Sequence, residues 1–374
     1  MKVAMVCEQH GVHVAGLSAA MVRAGHDVTV YTSRPEAGSP GREIAPGGYA
    51  VVDVAAGPAE RAEYLDAQWA ADRPDVAHAI FWTSGLNAQL AARAHGVPTV
   101  QTFRSLAITE NGHDMRGTAL DARSKVERLL ARQADWVVAT CADELVDLMR
   151  LGRPRGKMSM VPCGVDIDAF STEGLVADRD ERRRIVAVGK MLPHNGFSTM
   201  IEALPGIPDA EYVVVGSCDD EQMGSAEEYR RLRALAADRG VSDRVRFVGP
   251  VAHCDMPALL RSADVVTCTP WYEPFGLVAL EAMACGVPVV ASAVGGMLDA
   301  VVHDVTGRHV TPRRPRECAD AVNAILRDSF LRRSLGLAGR DRACARFTWD
   351  RVAADTARVY GRLLCAVSDA WQPA

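Results

Sequence analysis

Short apolar runs alternate with amphipathic stretches along almost the whole chain, and the alternation restarts once near its middle. No other feature constrains the fold as tightly. β-branched runs separated by helical periodicity are buried strands of a parallel sheet joined by crossover helices. In the first half the expected strands are Lys2–Cys7, Asp27–Tyr31, Val51–Val54, Val76–Ala79, Thr99–Thr102 and Trp136–Ala139, with helices such as Val12–Ala24 and Leu120–Gln133 between them. The second half gives Arg184–Val188, Glu211–Val215, Val245–Val248, Val265–Cys268 and Val287–Ala291. A chain of 374 residues exceeds one ordinary domain. The pattern predicts an α/β protein of two Rossmann-like parallel-sheet domains, residues 1–170 and 171–346. Pro162–Thr172 and the charge-rich Asp178–Arg184 read as the linker. A closing helical pattern begins at Phe347 within residues 347–374, with Trp349, Val352, Val359, Leu363 and Leu364 on its apolar side. In open parallel sheets ligands bind beyond the carboxyl ends of the strands. Two sheets facing across a cleft would therefore place a site where closure excludes water.

Composition excludes several classes. A net charge of −5 argues against nucleic acid as a partner. Residues 1–121 carry nine Lys or Arg against thirteen Asp or Glu, a difference of −4, which reads as an ordinary solvated surface and matters only if an acceptor is cationic. Ten cysteines without C-x-x-C spacing indicate neither a zinc site nor a disulfide framework, and read as mostly buried thiols. Met1–Cys7 is too short for a signal h-region, and no apolar run is long enough to span a bilayer. A cytoplasmic protein without an integral membrane segment is expected.

The chemistry concentrates in WYEPFGLVALEAMACGVPVVAS, residues 271–292. Glu273 and Glu281 stand eight positions apart there, separated by a loop that turns into a helix. Glu273 is expected just ahead of the helix N-terminus, where free N–H groups and the dipole favour an anion. Glu281 is expected two turns into the helix, on the face of Val278. One carboxylate at a sugar and one at a ribose, with a phosphate at the helix start between them, would read a nucleotide sugar. A glycosidase also uses two carboxylates, but they flank one bond at roughly 5–10 Å. Eight helical residues rise about 12 Å, which favours the nucleotide-sugar reading.

This segment resembles the signature of retaining glycosyltransferases of family 4, which have the GT-B fold. The resemblance covers nearly the whole chain, through GHDVTVYTSR, DVAHAIFWTSG, PTVQTF, VPCGVDIDAF, VGKMLPHNGF, VGGMLDAVVHDVTG and FTWDRVAA. It implies transfer of a sugar from a nucleotide donor, most often UDP-linked, with retention at the anomeric carbon and without cofactor or metal. It implies that the closing helix crosses back to the first domain. Phe275, Gly276 and Leu277 would then meet the donor at the helix start, and the backbone of Val251 would face the base. Catalysis would rest on Glu273 and on cations that hold the departing diphosphate.

The chain departs from that pattern in three places. The family's Arg and Lys in G-R-x-x-x-x-K-G become Lys190 and Asn195, which keeps one charge without the bidentate fork. Its His after the strand at Thr99–Thr102 becomes Arg104, which cannot serve as a base but could supply the missing positive charge from the opposite domain. Its N-terminal glycine pair becomes Glu8-Gln9-His10-Gly11, a short connection with a single glycine, Gly11, for the donor side; Glu8 reads equally as an acceptor-amine contact or as a capping or solvated carboxylate. His78 and Trp82 at a strand end are further acceptor-side candidates, although His78 reads more readily as a core or wall residue. Asp166 and Asp168 form a D-x-D that reads as structural, and Asp219 and Asp220 as loop residues. The short N-terminal connection and GKMLPHNGF are similar to actinomycete glycosyltransferases of aminoglycoside antibiotic biosynthesis, which implies a polycationic 2-deoxystreptamine pseudodisaccharide as acceptor. The rival readings are a non-catalytic nucleotide-sugar-binding partner and a GT-B sugar-nucleotide epimerase.

Overall fold

The computed structural model describes residues 1–33, 41–54, 57–111, 118–216 and 223–370. Asp219 and Asp220 lie outside them. The chain forms two compact units, Met1–Gly164 with Trp349–Ala374, and Val165–Thr348.

Among the described residues the first unit holds an eight-stranded sheet: β1 Lys2–Cys7, β2 Asp27–Ser33, β3 Arg42–Ile44, β4 Ala50–Val54, β5 Val76–Ile80, β6 Thr99–Thr102, β7 Trp136–Ala139 and β8 Met158–Met160. Their spatial order is β3-β4-β2-β1-β5-β6-β7-β8, and only β3 runs antiparallel. The strands are apolar on both faces because helices cover both. One face buries Val6, Val52 and Ala77 against Leu65, Trp69 and Ala92. Around β7, Phe103, Leu130, Val137 and Leu148 make a second cluster. Each large side chain so buried stabilises the fold by about 1.5–3 kcal/mol.

The second unit holds β9 Arg183–Val188, β10 Ala210–Val215, β11 Val245–Gly249, β12 Val265–Cys268, β13 Val289–Ser292 and β14 Gly307–Val310, all parallel, in the order β11-β10-β9-β12-β13-β14. Its core packs Ile185, Tyr212, Val214 and Val265 against Met200, Ile201, Leu232, Val322 and Ile325.

The closing helix, Trp349–Ala370, belongs to the first unit and packs along the helix Val12–Arg23. Its first residue is seated by two glycines. A Cβ on Gly16 or on Gly164 would lie 2.2 or 2.5 Å from the Trp349 indole, so neither position has room for a side chain.

Two expected boundaries move. The first domain ends at Gly164, not 170, because Val165–Phe170 is bound into the second unit. Val165 N–H donates to Phe347 O at 2.7 Å and bridges Thr348. Arg340 donates to the carbonyls of Ile167 and Phe170 at 3.3 and 2.8 Å. Asp178–Arg184 is likewise no solvated linker. Arg184 is buried in β9 and pairs with buried Glu211 at 2.6 Å, while Arg179 and Arg183 reach Asp264 at 3.1 and 3.2 Å. Charges there hold strands together rather than keep a connector in water.

Candidate active site

In the second unit the chain runs from β9 outward to β10 and β11, then returns to the other side of β9 for β12, β13 and β14. The strand order therefore reverses between β9 and β12, the place where open α/β sheets form a binding crevice. A cavity of about 200 Å³ opens at that point, lined among others by Gly189, Lys190, Asn195, Thr269, Glu273 and Val278. Three residues that the sequence placed at the donor thus share one cavity.

Glycines let the loops around it touch backbone to backbone. A Cβ on Gly216, after β10, would lie 1.9 Å from Gly189 O. Gly196 takes φ +74°, and a Cβ there would meet Thr269 O at 1.8 Å. The loop that carries Glu273 is clamped in the same way. Gly296 N–H donates to Glu273 O at 2.8 Å, and Cβ atoms on Gly295 and Gly296 would come within 2.3 and 2.5 Å of the Glu273 and Pro274 carbonyl oxygens.

Glu273 also fixes its own helix. Its Oε1 accepts from the N–H groups of Phe275 at 3.0 Å and Gly276 at 3.3 Å. Gly276 precedes the helix Leu277–Ala284 at φ +66° in the left-handed region, where glycine is unstrained. The carboxylate thus satisfies two donors at the entry to the helix while lining the cavity. The first helical residue is Leu277, so Glu281 lies one turn into the helix rather than two. Only part of the eight-residue spacing is helical, and the 12 Å rise expected for the pair does not apply. Both carboxylates stand close to the end of β12: burial pushes the Cys268 thiol pKa up, and the charges of Glu273 and Glu281 push it further.

Glu281 is buried, at 4% exposure, and its Oε1 is 2.9 Å from His253 Nε2. That hydrogen bond raises the His253 pKa above its ordinary value, against partial burial and with help from the charges of Glu281 and Asp166. His253 follows Val251 in the loop after β11, so one loop carries the expected base-facing backbone and the partner of the second carboxylate. The sequence reading missed His253.

Asn195 is placed differently from expectation. Its Nδ2 donates to Lys190 O at 2.6 Å, so the amide braces the loop that presents Lys190. Pro193–Asn195 forms a single 3₁₀ turn there, closed by Gly196. Asp166 accepts from the N–H groups of Asp168 and Ala169, both at 3.0 Å, a local turn that supports the structural reading of the D-x-D. Among the described residues no group of three or more His, Cys, Asp or Glu could hold a metal ion.

In the first unit the candidates gather at the carboxyl ends of β1, β5 and β6. Glu8 and the half-buried Arg104 follow β1 and β6, and Gly11 caps the helix Val12–Arg23 with open space where a side chain would be. Burial pushes the Cys7 thiol up to about 11, and Arg61 and Arg104 pull it back, which places both guanidinium groups near this end of β1. Arg104 sits at φ +67°, a strained conformation for a non-glycine residue. Trp82 begins the helix Trp82–His95 and packs on the cluster around Phe103. His78 is a correction. It is 2% exposed, with Nδ1 2.6 Å from the Tyr360 hydroxyl and Nε2 2.9 Å from Thr102 Oγ1. Both ring nitrogens are engaged in the core, and burial lowers its pKa to about 3. It ties the closing helix to the sheet and offers nothing to an acceptor.

Comparison with known proteins agrees with this geometry. A Glycosyl transferase 4-like domain model matches residues 10–164, and a Glycosyl transferases group 1 model matches residues 176–342. A D-inositol 3-phosphate glycosyltransferase of Jonesia denitrificans is 32% identical over 96% of this chain and 92% of its own. The chain belongs to the group 1 glycosyl transferases. A second relative of the same name, from Salinispora arenicola, is 35% identical to this glycosyltransferase over 80% of this chain and 71% of its own. Sucrose-phosphate synthase from Thermosynechococcus elongatus superposes with a TM-score of 0.88 at 28% identity, over 98% of this chain and 100% of its own. Anabaena HepE in complex with UDP-glucose shares the fold, with a TM-score of 0.80 at 20% identity over 97% and 100% of the two chains. The glycosyltransferase therefore has the GT-B architecture, two Rossmann-like parallel-sheet units. No helix among its described residues is long and apolar enough to cross a membrane.

Proposed function

We propose that the enzyme moves a sugar from a UDP-linked donor to a small polyhydroxylated acceptor with retention of anomeric configuration. The observation that carries this reading is the convergence of Glu273, Lys190 and the start of the helix Leu277–Ala284 on one cavity at the switch point of the second sheet. In this reading Lys190 and the N–H groups at the helix start take the charge of the departing UDP. Glu273 holds hydroxyls of the sugar, and Glu281 accepts from the ribose. The bond between C1 and the phosphate oxygen breaks while the acceptor oxygen bonds to C1 on the same face. The acceptor proton leaves with the phosphate oxygen. Such a scheme needs fixed charge in a dry site, and it calls for no metal or cofactor.

For the acceptor we propose a cyclitol. The relatives' names specify an inositol phosphate. A cationic aminocyclitol of the 2-deoxystreptamine type, as in aminoglycoside antibiotic biosynthesis, is the second class, supported by the carboxylates of the first unit: burial lowers the His10 pKa, and the nearby charges of Glu43 and Asp53 only partly oppose it. The test incubates the protein with UDP-sugars and each acceptor class, with and without EDTA, and reads products by mass spectrometry and NMR. A product with retained anomeric configuration, formed equally in EDTA, is expected. Turnover without an acceptor would indicate an epimerase, and binding without turnover a non-catalytic partner; either result refutes the proposal.

A further inference from the structure

The reading of Glu281 as the ribose acceptor leaves one question that the geometry answers, namely what fixes a buried carboxylate for that task. Its Oε1 is held by His253 Nε2 at 2.9 Å, and its Oε2 makes no hydrogen bond among the described residues. His253 is itself exposed, but its ring is backed by Phe170, 5.1 Å away between centroids and 1% exposed. Phe170 in turn belongs to the segment that Arg340 fixes through the carbonyls of Ile167, Phe170 and Ala284. The Ala284 carbonyl ends the helix that carries Glu281. A closed ring of contacts therefore runs from that helix through Arg340, Phe170 and His253 back to Glu281.

From this arrangement we infer that His253 is a positioning residue for donor recognition, holding one oxygen of Glu281 so that the other is presented to the ribose hydroxyls. A carboxylate 4% exposed and without that partner could turn either oxygen toward the ligand. With the His253 ring nitrogen at Oε1 the group keeps one orientation. The same loop carries Val251, so the device links the groups expected at base and ribose through a few residues of backbone. The inference rests on the donor reading proposed above, and it assigns His253 no contact with the reacting atoms.

The test compares UDP with 2′,3′-dideoxy-UDP by calorimetry in three proteins. Wild type should favour UDP. His253→Ala should bind UDP roughly tenfold more weakly while its affinity for the dideoxy nucleotide is unchanged, so that discrimination falls by the same factor. In steady-state assays KM for the donor should rise by more than kcat falls. His253→Gln, which keeps an N–H donor near the same place, should recover most of the discrimination. Full discrimination in His253→Ala would overturn the inference. Equal weakening of both nucleotides would overturn it too, since that is the signature of a merely structural residue. A wild-type protein that binds both nucleotides alike refutes the role of Glu281 itself, and the inference with it.

Discussion

Substitution of Glu273 separates its two tasks. Its Oε1 accepts from Phe275 N–H at 3.0 Å and Gly276 N–H at 3.3 Å, which is structural work, while its charge faces the cavity. Glu273→Gln keeps a carbonyl oxygen for both N–H groups and removes only the charge. Its melting temperature should stay within about 1 °C of wild type, since little of the roughly 1 kcal/mol expected of such a cap is lost. Turnover should fall at least ~10²-fold, a transition-state loss of about 2.7 kcal/mol. Glu273→Ala removes both tasks. It should lose at least as much turnover and a further ~1 kcal/mol of stability, equivalent to about 2–4 °C for a unit of this size. Steady-state kinetics with a UDP-sugar, beside calorimetric melting of both variants, makes the comparison. Near-normal turnover in Glu273→Gln would refute a catalytic charge. Equal melting losses in the two variants would refute the capping argument.

The remaining predictions concern the first unit. Arg104→Ala is expected to lower kcat/KM at least ~10-fold. Arg104→Gly should do the same without lowering the melting temperature, because it relieves the left-handed backbone at φ +67°. Normal kinetics in both variants would make Arg104 an ordinary loop residue. Acid should destabilise this unit through His13 and His78, whose folded pKa values burial lowers to about 3. A folded pKa below the unfolded value of about 6.5 means that the unfolded chain binds the extra protons. The stability is complete above pH ~6.5 and is lost as pH falls toward 3, about 2–3 kcal/mol per histidine by pH ~4.5. Urea unfolding of wild type and His78→Asn at pH 7 and pH 4.5 measures it; an unchanged pH dependence in the variant would refute the argument.

Most of the fold is legible because the strands bury on both faces and read as apolar runs: β1, β6, β7 and β12 appear at their expected ends. The strands that escaped lack that signal. β3 is short, charged and exposed along its length, β8 is a brief edge, and β14, Gly307–Val310, carries Arg308 and His309. Val287–Ala291 begins late, at Val289, because Val287 N–H closes the preceding helix on Ala282 O. Residue type and spacing singled out Glu273, Lys190 and the helix start, which share one cavity. They could not find His253, whose partner is 28 positions away, nor foresee that Asn195 bonds its own loop. The core reading of His78 was available from its strand position, but its partner Tyr360, 282 residues distant, was not. Local pattern records periodicity and turn chemistry, whereas pairings across the sheet are made by topology.

Val165 and Thr348 bridge each other, and Gly164 lies against the Trp349 indole. Topologically, then, the second unit is a parenthesis in the sentence of the first, opened and closed at one spot. Two cuts, after Gly164 and before Trp349, would free a block with adjoining ends and leave a remainder that a very short splice could rejoin. The second unit is thus a single uninterrupted segment with two seams, while the first is assembled from both ends of the chain.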